Sequence, residues 1–168
     1  MVSKLYLLRH ARAGWARPGM RDFDRPLDSV GLADAQAMGA AMRAQALLAE
    51  LTLCSTARRC QETLQALGSG IGTGEVLFLD ELYSEDAVRY LALIHAHGRA
   101  SSLLVIGHNP MMEVLAMALS GDGEPEAQES LAHGFPTAAL ATIRFDAGLH
   151  EAVPGSGYLE AFLTPAQL

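Results

Sequence analysis

Three short segments hold the residues of this chain that could do chemistry. Arg9-His10 ends an apolar run, Ser55-Thr56-Ala57-Arg58-Arg59 follows a second such run, and His108-Asn109-Pro110 follows a third. A neutral imidazole is a competent nucleophile near pH 7. The planar fork of arginine matches the oxygens of a phosphate or carboxylate. Two histidines and two or three arginines gathered at one place would make a pocket for a phosphoryl group, not for a metal. The question is whether the chain gathers them.

The elements needed to do so are present. Strands are expected over residues 4–10, 51–55, 76–80, 102–107, 138–145 and 158–163. Their nearly continuous apolar character implies burial on both faces. Helices are expected between them over 31–50, with Leu32, Ala35, Gly39, Met42 and Ala46 on one stripe, and over 57–67 and 85–97. A fourth helix is expected to start at Asn109-Pro110, with Asn as N-cap and Pro at the first helical position. Residues 13–28, 68–74 and 120–136 are expected to be loops. The alternation predicts an α/β fold, a three-layer sandwich whose mostly parallel central sheet carries helices on both faces. In such a sheet ligands bind beyond the carboxyl ends of the strands. The three segments converge there, and free N–H groups of the helix near Asn109 would add to an anion site.

The totals fit one domain over residues 1–168. A chain of this length buries roughly 70% of its unfolded surface without staples. Half of its residues are hydrophobic and 18% are charged, which excludes a disordered composition. The net charge of −7 argues against nucleic-acid or anionic-membrane binding. Positive charge is nonetheless concentrated in Arg9, Arg12, Arg17, Arg21 and Arg25, a set expected to be solvated, unless Arg12 to Arg25 rim a docking site. Two cysteines make no disulfide framework, and no run reaches transmembrane length. A cytoplasmic setting is the simple expectation.

Three other chemistries are expected to be absent. Gly68-Ser-Gly-Ile-Gly-Thr-Gly74 follows a helix and precedes a strand, the reverse of a phosphate-cradling loop, and reads as a helix stop and flexible connection. A cysteine phosphatase needs Cys-x5-Arg, but Cys54 to Arg59 is one residue short and Cys60 has no arginine at that distance. His95 and His97 diverge on a helix, and His133 and His150 are scattered, so no metal ligand set is evident.

Leu7-Leu8-Arg9-His10-Ala11 resembles the Arg-His signature of the histidine phosphatase, or phosphoglycerate mutase-like, superfamily. Ser55-Thr56-Ala57-Arg58-Arg59-Cys60-Gln61-Glu62-Thr63 resembles its Ser-x-x-x-Arg-x-x-x-Thr segment, and Val105-Ile106-Gly107-His108-Asn109-Pro110 its second-histidine segment. The short length, Asp24-Arg25-Pro26-Leu27 with Gly31, and Phe135-Pro136-Thr137 resemble the small bacterial phosphohistidine phosphatases of the SixA type.

The resemblance implies that His10 is the nucleophile and forms a phosphohistidine enzyme. It implies that Arg9 and Arg59 clamp the phosphoryl oxygens and that His108 completes the pocket and stabilises charge. The spacing to Ser55 and Thr63 favours Arg59 over Arg58, which is expected at the surface. No cofactor or metal is implied. The expected activity is a metal-independent phosphatase acting on a phosphohistidine protein. The alternatives are a small-molecule phosphomonoesterase of the same superfamily and a non-catalytic phosphoprotein-binding module; a mutase would need more chain and a firmer acid. A leaving-group acid is the weak point. Asp80, Glu81 and Asp86 are nearest, with Glu81 the possible acid. Expected partners are a phosphorylated protein or a small phosphate ester, with no nucleic acid and no membrane.

Overall fold

Apolar side chains on the central strands alternate between two cores. Leu5, Leu7, Leu53, Leu103 and Val105 enter one, and Tyr6, Leu8, Cys54, Leu104 and Ile106 enter the other. That period of two is what a sheet covered on both faces requires. The computed structural model describes residues 2–72 and 74–168. Its strands are β1 (Ser3–Arg9), β2 (Leu51–Ser55), β3 (Val76–Leu79), β4 (Ser102–Gly107), β5 (Ser120–Gly123), β6 (Leu140–Phe145) and β7 (Gly157–Leu163). They form one sheet in the order β3-β2-β4-β1-β6-β7-β5. Strand β6 runs antiparallel to both neighbours, while the other paired strands are parallel.

The helices are α1 (Ser29–Ala44), α2 (Arg58–Leu67), α3 (Glu81–Ser84), α4 (Ala87–Ala96), α5 (Met111–Leu119) and α6 (Pro125–Ala132). Residues of α1 and α2 fill one core, and residues of α4, α5 and α6 fill the other, giving the three layers. The fold class is thus the α/β sandwich that the alternation predicts.

Some details differ from the sequence reading. Residues 120–136 are not a loop: they hold β5 and α6. The Ser-Gly-Asp-Gly run of β5 has no strand propensity and is held by pairing with β7. The stripe of α1 is rotated, with Gly31, Ala35, Met38, Gly39 and Met42 buried but Leu32 exposed and Ala46 beyond the helix. Gly68 caps α2 with φ of 80°, but the following segment is pinned, because Ala49 N–H donates to the Ile71 carbonyl. Thr73 of that segment lies outside the described residues.

Gly39 lies where α1 meets the end of α2, and a Cβ there would collide with the Leu67 carbonyl. Helix propensity alone favours Ala over Gly by about 1 kcal/mol. Here overpacking wins, and Gly39→Ala is expected to destabilise by about 2 kcal/mol. In a thermal melt that is a fall in Tm of roughly 4–8 °C. An unchanged or raised Tm would show that α1 and α2 can move apart.

Candidate active site

Strands β1, β2 and β4 are parallel neighbours, so their carboxyl ends open on one edge. At the end of β1, His10 N–H donates to the Gly107 carbonyl at 3.0 Å. Its ring Nδ1 lies 2.7 Å from the Ala11 carbonyl oxygen. A carbonyl only accepts, so Nδ1 carries the proton and Nε2 keeps its lone pair. Arg9 donates from Nη1 to the Phe135 carbonyl at 2.9 Å, and Asn109 Nδ2 donates to the same oxygen at 3.1 Å. The turn before β6 thus steadies both histidine segments.

Ser55, Arg59 and Thr63 recur every four residues, and each has a separate task. Ser55 Oγ lies 2.8 Å from His108 Nε2 and accepts the Ala57 N–H. Arg59 lies on the buried face of α2, only 6% exposed. Thr63 Oγ accepts the Ala11 N–H at 2.9 Å and donates to the Arg59 carbonyl at 2.6 Å. One face of α2 therefore holds both the guanidinium and the chain beside His10.

His108 follows β4. Its backbone N–H donates to the buried Tyr90 hydroxyl at 3.2 Å. Arg59 Nη2 donates to its Nδ1 at 3.4 Å, so Nε2 carries the proton toward Ser55. The rings of His10 and His108 are 5.2 Å apart, centroid to centroid. The structure thus brings Arg9, His10, Arg59 and His108 to one edge. Both arginines also keep a buried Nε with no acceptor among the described residues.

The sequence reading missed two members of the wall, Asp22 and Tyr83. Arg59 donates to the Asp22 carbonyl at 2.9 Å and to its carboxylate at 3.1 Å. Tyr83 donates to the same carboxylate at 3.0 Å and presents its ring edge to His108. Asp22 opens a 3-10 turn, Asp22–Asp24, inside the arginine-rich segment. The arginines there are largely neutralised within it: Arg12 pairs with Asp28, Arg21 with Asp24 and Arg25 with Asp22.

A model of the histidine phosphatase superfamily (branch 1) matches residues 5–87, a span that includes His10 and Arg59. The crystal structure of SixA from Agrobacterium tumefaciens is 36% identical, covering 97% of this chain and 99% of that one, with a TM-score of 0.82. The chain belongs to the histidine phosphatase superfamily. Similarity extends to SixA from Nakamurella multipartita, 29% identical over 98% of this chain and 97% of that one, with a TM-score of 0.85. An uncharacterized Mycobacterium tuberculosis protein is 30% identical over 161 residues, 94% of this chain and 99% of its own length.

In this superfamily member both pocket histidines are held neutral. Burial, with Arg59 and Arg9 nearby, lowers His10 from 6.5 to about 4. Burial, then His10 and Arg59, lowers His108 to about 3, against the opposing pull of Asp22. Burial tends to raise Asp22, but Tyr83, Arg59 and Arg25 bring it below its ordinary value. The histidine shifts carry a stability cost in acid. Below pH 6.5 the unfolded chain takes up protons that the folded pocket refuses, so stability falls as pH drops toward the folded values. From pH 6.5 to about 4, His10 alone accounts for about 3 kcal/mol. Denaturant melts across that range should show the loss, and His10→Ala should flatten the slope. An equal slope in that variant would refute a neutral, buried His10.

The other expected residues lie outside the pocket contacts. Arg58 is exposed and pairs with Glu62. Glu81 pairs with Arg89 at 3.6 Å, Asp80 accepts the Thr56 hydroxyl, and Asp86 caps α4. The expected anion site at the helix near Asn109 needs correction. Helix α5 starts at Met111, and Pro110 is its cap. The Met112 N–H is taken by the His108 carbonyl and the Glu113 N–H by Asn109 Oδ1, so neither is free for a ligand. Cys54 and Cys60 are buried, and burial raises both thiols, Cys60 to about 12. Cys60 Sγ instead lies 3.5 Å from His108 Nε2. His95 and His97 each face a backbone carbonyl. Among the described residues no helix is long and apolar enough to cross a membrane.

Proposed function

We propose that this protein is a metal-independent phosphatase that uses His10 as nucleophile and removes phosphoryl groups from histidine side chains of proteins. The observation that carries the reading is the His10 Nδ1 contact to the Ala11 carbonyl. It leaves Nε2 unprotonated beside two guanidiniums. Nε2 attacks phosphorus, and the bond from phosphorus to the leaving nitrogen breaks as that nitrogen takes a proton from solvent. Water then attacks the phosphorylated His10, the P–Nε2 bond breaks, and inorganic phosphate departs. Arg9 and Arg59 offset the charge on the phosphoryl oxygens in both steps. An incoming dianion opposes the burial that keeps His108 neutral, so His108 gains a proton and a charge when one is needed.

The names of both SixA structures assign phosphohistidine phosphatase activity provisionally. The chemistry of the leaving group supports the same substrate. An imidazole, with an ordinary pKa of about 6.5, departs with far less help than an alkoxide. General acids contribute about 10²–10⁴-fold where they are needed. Glu81→Gln is therefore expected to leave kcat on a phosphohistidine protein within about 3-fold of wild type. A loss of about 100-fold or more would make Glu81 the acid.

The test is phosphate release, with EDTA present, from a histidine-containing phosphotransfer protein phosphorylated with phosphoramidate and from p-nitrophenyl phosphate. The expected kcat/KM is at least about tenfold higher for the protein. A reversed ratio would favour a small-molecule phosphomonoesterase. No release from either would favour a phosphoprotein-binding module.

A further inference from the structure

A cavity of about 490 Å³ lies beside the catalytic pocket, between the 3-10 turn Asp22–Asp24, the outer side of α2 and β3. Its lining includes Phe23, Thr56, Gln61, Leu64 and Phe78. Two ring contacts link its lining to the active site. Phe23 meets Tyr83 edge-on at 5.0 Å, and Tyr83 meets His108 edge-on at 5.5 Å. Thr56 also follows Ser55, the partner of His108.

The far end of the cavity is unusual. Strand β3 ends the sheet, and Phe78 on it is 50% exposed. An exposed aromatic on a sheet edge invites unwanted association. The charges at the lips of the cavity are spent on each other: Arg58 pairs with Glu62 at 2.7 Å and Arg21 with Asp24 at 3.0 Å. Gln61 donates its amide N–H to the Thr56 carbonyl and keeps its oxygen as an acceptor. The surface on offer is apolar, with a backbone-type acceptor, and is nearly neutral. It does not select an acidic segment. A phosphoryl group with a small leaving group is served by Arg9, His10, Arg59 and His108 alone and has no use for it.

We propose that this cavity is the docking groove for the polypeptide next to the phosphorylated residue, seating an uncharged segment whose apolar side chain lies between Phe23 and Phe78. The inference rests on the protein-substrate reading above and adds where the substrate chain runs. The groove selects for protein substrates by lowering KM, while the pocket does the chemistry.

Three substrates separate the contributions: the phosphoramidate-treated phosphotransfer protein, free phosphohistidine and p-nitrophenyl phosphate. The variants are Phe78→Ala and Phe78→Asp, on an exposed position outside the catalytic machinery, with Tm as the folding control. With the phosphoprotein, kcat/KM is expected to fall about 5-fold in the first and at least about 10-fold in the second, through KM. The two small substrates should stay within about 2-fold. Equal losses on all three, or no loss on the phosphoprotein that wild type hydrolyses, would overturn the groove and leave the proposed function standing. Unchanged kinetics with a shift in sedimentation would assign the patch to contact between copies of this chain, against the proposal. A wild type active only on the small substrates would overturn both the groove and the protein-substrate reading.

Discussion

His10→Ala is expected to lower phosphate release by at least about 10⁴-fold, with Tm at neutral pH nearly unchanged. The size follows from the role. Removing a nucleophile removes the first covalent step, and what survives is only the effect of the remaining pocket on direct attack by water. In His10→Ala that attack would still have Arg9, Arg59 and His108 around the phosphoryl group, so substrate binding should persist. KM should therefore move little while kcat collapses. A second observable is independent of turnover. Quenching wild type in alkali during catalysis should trap a phosphoryl group on a peptide containing His10, and acid should remove it. If His10→Ala kept more than about a tenth of wild-type activity, the nucleophile would be another residue. If the label appeared on a His108 peptide instead, the two histidines would have to exchange roles.

Arg59→Ala should be the next most damaging change, costing about 10³-fold in kcat/KM, the upper range for one charge-stabilising donor. Arg59→Lys should not restore it, since an ammonium is a point charge that cannot hold Asp22 and a phosphoryl oxygen on one planar fork. The loss has two sources. One is the missing donor at the transition state. The other is Asp22, whose carboxylate is 3.1 Å from Arg59 and would keep only Arg25 and Tyr83 as partners, leaving more of its negative charge facing an anionic substrate. Adding Asp22→Asn to Arg59→Ala should therefore recover about tenfold, a non-additivity expected of residues in direct contact. Competition by inorganic phosphate would measure the binding share of each effect. A loss below about tenfold in Arg59→Ala would remove Arg59 from the phosphoryl site.

Much of the pocket was legible because its residues sit at strand ends, and strand ends in a parallel sheet meet at one edge. Arg9, His10 and His108 needed only that rule. Ser55, Arg59 and Thr63 added the helical spacing that puts two of them on one face of α2. Asp22 and Tyr83 were not legible, because their places depend on residues 13–28 folding back over the edge. The sequence shows Asp22 only as one of three aspartates among three arginines there. Helix α6 was hidden by the Gly and Ser around it, although Pro125 at its first turn was a usable signal. The N-cap at Asn109 was misread by one position. Asn109 Oδ1 does accept from the helix, at Glu113, but Pro110 rather than Asn109 directly precedes the first helical residue.

The place of β1 in the sheet bears on how the protein is made. Lys4 pairs with Ser102 on one side and Ser3 with Phe145 on the other. The first of the seven described strands to be synthesised is therefore a central one, and both of its neighbours are synthesised about a hundred or more residues later. Until β6 emerges, the apolar Leu5–Leu8 segment has no complete set of backbone partners, and His10 has no pocket. Contacts of such long sequence separation slow folding and expose the nascent chain to association. The proposed nucleophile, near the start of the described strands, thus waits for much of the chain, and translation products truncated before β6 should be inactive however much of the superfamily signature they contain.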